Sequence, residues 1–160
     1  MTEPGSANVQ FGGLTFRRAG PGDVAAVEQM QARAYHRNRV LIGATPVPLQ
    51  WNYAQELARC EGWLVDGTDG LAAVLMLTPR KKDLYIDNIA VAPQEQGLGF
   101  GNILLDFALE RAQHHGLATL RLTTNARLVR NIDWYRRKGF AVEREEILPD
   151  RTAVHMTRHI

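Results

Sequence analysis

The sequence predicts a mixed α/β domain, with a mostly antiparallel sheet of about six to seven strands around one parallel pair. The apolar run Tyr85–Val91 is typical of a strand that is buried on both faces. A glycine-rich turn, Gln96–Gly101, follows and opens directly into a helix with apolar residues at helical spacing. A strand predicted at 118–123 would then lie parallel to the first through a right-handed crossover. The 160 residues suffice for one domain with a sizeable core.

Residues 1–13 are expected to form a flexible leader, and residues 14–160 the single domain. The leader is rich in Gly, Ser, Asn and Pro, and only Val9 and Phe11 offer much apolar surface to bury. The first strand is predicted at Leu14–Arg18, so the ordered domain is expected to begin there.

Two helices are predicted next. A turn at Pro21–Asp23 caps the first, which runs from Val24 to about Arg37 with apolar positions at helical spacing. A shorter helix is predicted at Leu49–Arg59. The segment between them, 36–50, contains a glycine and two prolines, and no regular element is predicted for it.

Three strands are then predicted to form an antiparallel meander that ends in the central strand. Asp66–Gly70 is a typical hairpin connection between the first two. The predicted strands are Gly62–Val65, Leu71–Leu77 and Leu84–Val91.

The second half of the chain is predicted to complete the sheet. One helix runs from Gly99 to His115 and closes at Gly116, and another covers 126–138. The strands Phe140–Ile147 and Thr152–His159 form a closing hairpin.

Composition excludes several classes of protein. The net charge of +2 comes without a stripe of basic residues, so a nucleic-acid binder is not expected. The longest apolar run, Leu71–Leu77, is too short to cross a bilayer, and no secretion or transit pattern is present. Cys60 is the single cysteine, which rules out a disulfide framework. His155 and His159 would lie about 13 Å apart on a strand, too far to share a metal. We therefore expect a cytoplasmic protein that binds no metal, nucleic acid or membrane.

The turn that contains Gly97, Gly99 and Gly101 is typical of a phosphate cradle. Residues without a Cβ allow the backbone to approach a phosphate, which the free N–H groups and dipole of the helix N-terminus attract. A P-loop is excluded because Asn102 and Ile103 follow the last glycine instead of Lys and Ser/Thr. The G-x-G-x-G spacing also excludes the dinucleotide fingerprint. The alternative is a tight turn without a ligand.

Two motifs resemble the GNAT superfamily of acyl-CoA-dependent N-acyltransferases. Gln96–Gly101 corresponds to the signature Q/R-x-x-G-x-G/A, and residues 131–140 (NIDWYRRKGF) resemble the N…Y…GF block of the superfamily. The resemblance covers roughly Leu14 to Ile160. It implies a GNAT-like fold with helices on both faces, in which the central parallel pair splays apart to hold acetyl-CoA as co-substrate without a metal.

The resemblance also implies which residues hold acetyl-CoA. The turn would cradle the phosphates, the central strand would pair with the pantetheine arm, and two asparagines would contact its amides or simply cap helices. These residues are Gln96, Gly97, Leu98, Gly99, Phe100 and Gly101 in the turn; Ile89, Ala90 and Val91 in the strand; and Asn125 and Asn131. Unlike many members, this turn contains no Arg or Lys, so backbone N–H groups would supply most of the cradle.

Tyr135 matches the superfamily tyrosine that hydrogen-bonds the CoA sulfur and protonates it on departure. A phenol stays protonated at neutral pH, which suits this role. The alternative is that Tyr135 packs beside Leu128 and Ile132 as a core aromatic residue.

Asp87 and Asn88 interrupt the apolar central strand. A buried carboxylate without a partner would be costly, so a cleft is expected beside them. The resemblance implies that Asp87 orients the water that deprotonates the amine. Binding of a cationic acceptor and a structural ion pair with an arginine are the alternatives.

The predicted function is direct transfer of the acetyl group from acetyl-CoA to a primary amine. The basic loop 33–53, with His36, Arg37 and Arg39, favours a small, carboxylate-bearing acceptor over a lysine-rich protein tail. The alternative is a non-catalytic sensor of CoA or another nucleotide with the same fold, which the poorly basic turn favours. Many members are dimers, so the resemblance includes a homodimer among the possible assemblies.

Overall fold

The computed structural model describes residues 8–160. Within this range, one eight-stranded sheet carries five α-helices. The strands are β1 Val9–Phe11, β2 Leu14–Arg18, β3 Glu61–Gly67, β4 Gly70–Pro79, β5 Leu84–Val91, β6 Thr119–Asn125, β7 Ala141–Ile147 and β8 Thr152–His159. The helices are α1 Val24–Ala34, α2 His36–Ile42, α3 Tyr53–Arg59, α4 Phe100–His114 and α5 Val129–Arg137, and short 3-10 turns lie at Pro21–Asp23, Val47–Gln50 and Pro93–Glu95.

The strand order is β1-β2-β3-β4-β5-β6-β8-β7, and only β5 and β6 pair in parallel. The antiparallel meander, the central strand and the C-terminal hairpin are confirmed. The mixed α/β fold with one parallel pair is therefore the one that the sequence predicts, with one strand more.

The additional strand corrects the expected extent of the leader. Val9–Phe11 pairs with β2 through a two-residue hairpin in which Gly12 and Gly13 both have positive φ, as a type I′ turn requires. The Phe11 ring then packs 5.5 Å from the Phe107 ring of α4. Burial of this small apolar set holds the segment on the sheet, so the boundary predicted at residue 14 is too late. Residues 1–7 of the expected leader lie outside the described residues.

The helix predicted at Val24–Arg37 is divided in the structure. At Tyr35 the backbone leaves the α-helical conformation, with φ −94° and ψ 1°, and α2 begins at the next residue. The break lies where the Tyr35 hydroxyl accepts a hydrogen bond from buried Asn88 of β5. The predicted helix at Leu49–Arg59 starts later, at Tyr53, because Asn52 caps it by accepting from the backbone of Gln55.

Helices cover both faces of the sheet and divide its interior into two cores. The α4-side core lies under α4 and α5, and the α1-side core lies under α1 and α3. Large members of the α4-side core are Phe16, Trp63, Leu75, Leu104, Phe107, Phe140 and Met156. Members of the α1-side core include Val27, Met30, Tyr53, Leu64 and Met76.

The parallel pair separates after three residue pairs. β5 and β6 are in register from Leu84 and Leu120 to Ile86 and Leu122, and no pairing between them follows. Residues 88–91 remain paired with β4 on one side, while their other edge opens into a cleft. The splay that the GNAT resemblance implied is therefore present.

A β-bulge lies at the point where the two strands separate. The register between β4 and β5 shifts by one residue, which leaves Asp87 without a partner on β4. Ile86 packs in the α4-side core before the bulge, and the odd-numbered Ile89 packs there after it. Two consecutive side chains, Asp87 and Asn88, therefore point away from that core toward α1 and α3. The bulge thus directs both polar groups toward the cleft side of the sheet.

Candidate active site

A cleft of about 880 Å³ opens between β5 and β6. Its floor is formed by residues 85–91 and 122–125 of the two strands. Its walls come from α2 with the following 3-10 turn, from the first half of α5, and from the β7–β8 hairpin. The segment 36–50, for which the sequence predicted no regular element, thus forms one wall.

Most of the predicted site residues meet in this cleft. Those that line it are Asp87, Ile89, Ala90, Val91, Gln96, Asn125, Asn131 and Tyr135. The remaining turn residues, Gly97, Leu98, Gly99, Phe100 and Gly101, lie just beyond its edge at the start of α4. The structure therefore brings together residues that are up to 48 positions apart, from Asp87 to Tyr135.

The glycine turn has the shape of an open cradle. Gly97 and Gly99 have φ of +83° and +85°, and no neighbouring atom lies within 4 Å of where a Cβ would stand on either. Gly99 precedes the first residue of α4, whose initial backbone N–H groups have no acceptor within the described residues. The turn thus combines a left-handed backbone, free space and unpaired donors, which fits an anion.

Neighbouring side chains fix the turn against the rest of the site. The Gln96 amide donates a 3.0 Å hydrogen bond to the Val91 carbonyl at the end of β5. A Cβ on Gly101 would lie 3.2 Å from the Trp134 ring, so a larger residue there would require the ring to shift. The Trp134 indole also donates to Asn102 at 3.1 Å. These contacts couple the turn to the helix that carries Tyr135.

Tyr135 lies in the α4-side core and also lines the cleft. Only 7% of the residue is exposed, and its ring packs against Phe140 with centroids 5.6 Å apart. Its hydroxyl makes no hydrogen bond to another described residue. Burial raises the pKa of this phenol above its usual value, and nearby Tyr35 adds to the effect. The hydroxyl therefore stays protonated and is available as a donor, so a core aromatic ring and a cleft-facing donor are compatible in one residue.

Asp87 lies at the bulge beside Thr78 of β4, whose hydroxyl donates to it at 2.5 Å. Burial raises the pKa of Asp87, and the Thr78 hydrogen bond only partly opposes this effect. No arginine forms an ion pair with Asp87 within residues 8–160, so a structural ion pair does not account for its position.

A buried polar chain behind the cleft was not recognised from the sequence. Gln31 of α1 donates to Asn88 Oδ1 at 2.6 Å, and Asn88 Nδ2 donates to the Tyr35 hydroxyl at 2.8 Å. Gln31 and Asn88 are almost fully buried, whereas Tyr35 lines the cleft. The proton of Tyr35 remains free to be donated into the cleft. The signal that could have found this chain is the polar Gln31 among the apolar positions of α1.

Charged side chains around the cleft are mostly basic. Arg37, Arg127, Arg130 and Arg151 line it, whereas the acidic lining residues are Asp87 and Glu146. Arg127 also donates to the carbonyl of Ile42, which links the β6–α5 loop to the end of α2. The excess of guanidinium groups suits an anionic ligand.

Within the part of the chain that the structure describes, no group of three or more His, Cys, Asp or Glu side chains is arranged to hold a metal ion. None of the helices between residues 8 and 160 has the length and apolar character that crossing a membrane requires.

The sequence of residues 25–140 matches the model of the Acetyltransferase (GNAT) family, which covers more than half of the chain. The chain belongs to this family. The matched range extends from α1 through both motifs on which the resemblance was based. A search of curated protein sequences gave no significant match.

Solved structures of other GNAT acetyltransferases share this fold. The ribosomal-protein-S18-alanine N-acetyltransferase of Escherichia coli has a TM-score of 0.74 at 21% identity, over 91% of this chain and 93% of that protein. The PaiA N-acetyltransferase of Thermoplasma acidophilum, in complex with coenzyme A, has a TM-score of 0.75 at 14% identity, over 91% and 98%. A GNAT acetyltransferase from Desulfovibrio desulfuricans has a TM-score of 0.74 at 18% identity, over 90% and 97%.

Proposed function

We propose that this GNAT acetyltransferase transfers the acetyl group of acetyl-CoA directly to the primary amine of a small, anionic molecule. One observation carries the proposal: the β5–β6 cleft joins the unpaired edge of β5, the free hydroxyl of Tyr135 and the carboxylate of Asp87 in one space. A donor thioester and an acceptor amine could meet there without a covalent enzyme intermediate.

Acetyl-CoA would supply an acetyl group that is activated as a thioester. The free N–H groups at the start of α4 and the left-handed Gly97 and Gly99 would hold the phosphates. The open edge of residues 89–91 would pair with the amides of the pantetheine arm, and Asn125 and Asn131 line the same space. The coenzyme A present in the T. acidophilum relative supports this ligand class.

Three residues would then act on the reacting groups. Asp87 would attract the ammonium of the acceptor, which must lose a proton before its nitrogen can attack. The neutral nitrogen forms a bond to the acetyl carbon as the carbon–sulfur bond breaks. Tyr135 would donate its proton to the departing sulfur, a role that suits a phenol whose pKa is raised by burial. Tyr35 is placed to donate a hydrogen bond to a ligand in the same space.

The acceptor class follows from the charge of the cleft. Four arginines against two carboxylates favour a molecule that carries an acidic group as well as its amine. A lysine-rich protein tail would meet repulsion at Arg37 and Arg130, since both line the cleft. We therefore favour a free amino acid or a similar amino-carboxylate.

Release of the CoA thiol from acetyl-CoA tests this proposal. Thiol release would be measured with a panel of amino acids, each compared with the carboxamide that lacks its carboxylate charge, and with linear polyamines. We expect acetylation of at least one amino acid, with a clear loss of catalytic efficiency for its amide. Equal rates for acid and amide would contradict the anionic acceptor.

A non-catalytic CoA sensor is the second candidate, because the turn itself contains no Arg or Lys and Glu95 lies beside it. A sensor would be stabilised by CoA without releasing thiol in the presence of any amine.

A further inference from the structure

Four side chains from four different strands form a hydrogen-bonded row along the cleft. The Tyr85 hydroxyl of β5 lies 2.6 Å from Thr123 Oγ1 of β6. The same oxygen lies 3.0 Å from His155 Nδ1 of β8, and His155 Nε2 lies 2.9 Å from Glu146 Oε1 of β7. All four side chains line the cleft.

The donor and acceptor roles in this row can be assigned consistently from one end to the other. The His155 bond holds the pKa of Glu146 below its usual value, so Glu146 is an acceptor and the proton lies on His155 Nε2. In neutral His155, Nδ1 is then unprotonated and accepts a hydrogen bond from the Thr123 hydroxyl. Thr123 accepts from Tyr85 in turn. The lone pairs of the Tyr85 oxygen are therefore the free end of the row, and they can accept a proton.

The free end lies beside Asp87. Tyr85 is the cross-strand partner of Thr78, and the bulge residue Asp87 accepts a hydrogen bond from the Thr78 hydroxyl, so Tyr85 and Asp87 lie on either side of one β4 residue. The Arg80 guanidinium lies 4.6 Å from the centre of the Tyr85 ring and helps to fix it. A molecule whose ammonium is drawn to Asp87 would thus lie within reach of the Tyr85 oxygen.

We propose that His155 is the proton acceptor for the substrate amine, through the hydroxyls of Thr123 and Tyr85. This inference rests on the proposed acetyl transfer. The ammonium gives a proton to the Tyr85 oxygen, Tyr85 passes its own proton to Thr123, and Thr123 passes its own to His155 Nδ1. The amine becomes neutral, and His155 becomes an imidazolium paired with Glu146, which acts as the positioning residue.

An imidazole suits the role of proton acceptor for the amine better than a carboxylate would. Imidazole is the side chain that most readily gains and loses a proton near neutral pH. The charged groups near His155 are Glu146 and Arg144 of β7 and Arg151 just before β8, and Asp87 lies near the other end of the row. Glu146 is the one in direct contact with the imidazole, at 2.9 Å from Nε2.

The chain contains a matched control for this arrangement. Thr119 and His159 form the same cross-strand pair on β6 and β8, with Thr119 Oγ1 3.2 Å from His159 Nδ1. Neither residue lines the cleft. Thr119→Val and His159→Gln therefore make the same chemical changes outside the site.

The test is the pH dependence of kcat/KM for Tyr85→Phe, Thr123→Val and His155→Gln, with acetyl-CoA and the best amine of the amino-acid panel. Each variant should lose about tenfold to a hundredfold at neutral pH. The loss should shrink toward about pH 10, where a primary amine arrives already neutral. Tyr85→Phe keeps the ring beside Arg80, so it removes only the hydroxyl. The two control variants should follow the wild-type profile.

A loss that is equal at every pH, or no loss at all, would overturn the relay. If acetyl-CoA binds but no amine in the panel is acetylated, the proposed function fails instead. In that case 15N NMR of the histidines still decides whether the row exists. We expect His155 with Nε2 protonated and Nδ1 bare, and a shift of the Nδ1 signal in Thr123→Val. A proton on Nδ1 would overturn the inference.

Discussion

The Thr78 hydroxyl donates a 2.5 Å hydrogen bond to Asp87 Oδ2 at the bulge where β5 leaves β6. This contact orients a carboxylate that has no partner residue on the neighbouring strand. Because burial nevertheless raises the pKa of Asp87, its charge is maintained at a cost to the fold. Such a cost is typical of a functional position.

Replacement of Asp87 by Asn should separate stability from activity. The folded-state pKa is raised above the ordinary 3.8, so ionised Asp87 destabilises the fold at neutral pH, and this cost disappears as the pH falls below 3.8. We expect Asp87→Asn to unfold at a higher temperature than wild type at neutral pH, with the difference vanishing in acid. Its kcat/KM for the amine should fall by about tenfold or more. Thermal unfolding across the pH range and steady-state kinetics check both effects, and a variant that is less stable at neutral pH would contradict the assignment.

Tyr135→Phe should lower turnover far more than affinity for acetyl-CoA. The ring fills the α4-side core beside Phe140, and Phe preserves that packing, whereas the hydroxyl has no hydrogen-bond partner within the described residues. Loss of the general acid should reduce kcat by about 10² or more. Calorimetric affinity and thermal stability serve as controls, since neither should change appreciably. An unchanged kcat would remove the general-acid role.

A buried ion cluster remote from the cleft should contribute to the acid sensitivity of the fold. Burial alone would raise the pKa of Glu61, but hydrogen bonds from Arg111, Trp63 and His115 outweigh it and hold the pKa below 4.5. A lowered pKa stabilises the fold above the unfolded-state value, and this stabilisation is lost as the pH falls through the folded-state value. Glu61→Gln should therefore cost about 3 kcal/mol at neutral pH, because Arg111 is left buried without its partner. Denaturant titrations should show this cost shrinking in acid, with acetyl-CoA affinity unchanged at neutral pH. A cost that does not depend on pH would contradict the assignment.

The N-terminal strand should contribute measurably to stability. Phe11 packs against Phe107 and is partly buried, so Phe11→Ala should cost about 2 kcal/mol, less than a fully buried phenylalanine. Gln10→Ala, on the exposed residue of the same strand, is the matched control. Chemical denaturation distinguishes the two variants. Equal midpoints would mean that the strand does not contribute to the fold.

The sequence predicted the order of the elements well because local signals define most of them. The bounds of β2, β5 and β8 were correct, since turns and polar residues flank each apolar run. The additional strand β1 was missed because its short apolar pair is only partly buried, against core residues such as Phe107 that are distant in the chain. The break at Tyr35 was missed for the same reason, since its hydroxyl contacts Asn88.

The site was partly predictable from single positions and short motifs. Asp87 and Tyr135 were recognised by residue type and context, and both line the cleft. The Thr123–His155 contact was not, because it depends on the register of two strands that are 27 residues apart at their nearest ends. The sequence alone relates His155 to His159 on the same strand, whereas the structure pairs it with Thr123 on the neighbouring strand.

The most direct test of the central claim is calorimetric titration with acetyl-CoA of the wild type and two glycine variants. Gly99 and Gly116 lie at opposite ends of α4, both with positive φ and open space around them, so Gly99→Glu and Gly116→Glu impose similar backbone strain. We expect the wild type and Gly116→Glu to bind acetyl-CoA and Gly99→Glu to lose binding, because its carboxylate would stand in the phosphate cradle. Absence of binding to the wild type, or equal binding by Gly99→Glu, would contradict the assignment of the glycine turn and, with it, the proposed acetyl transfer.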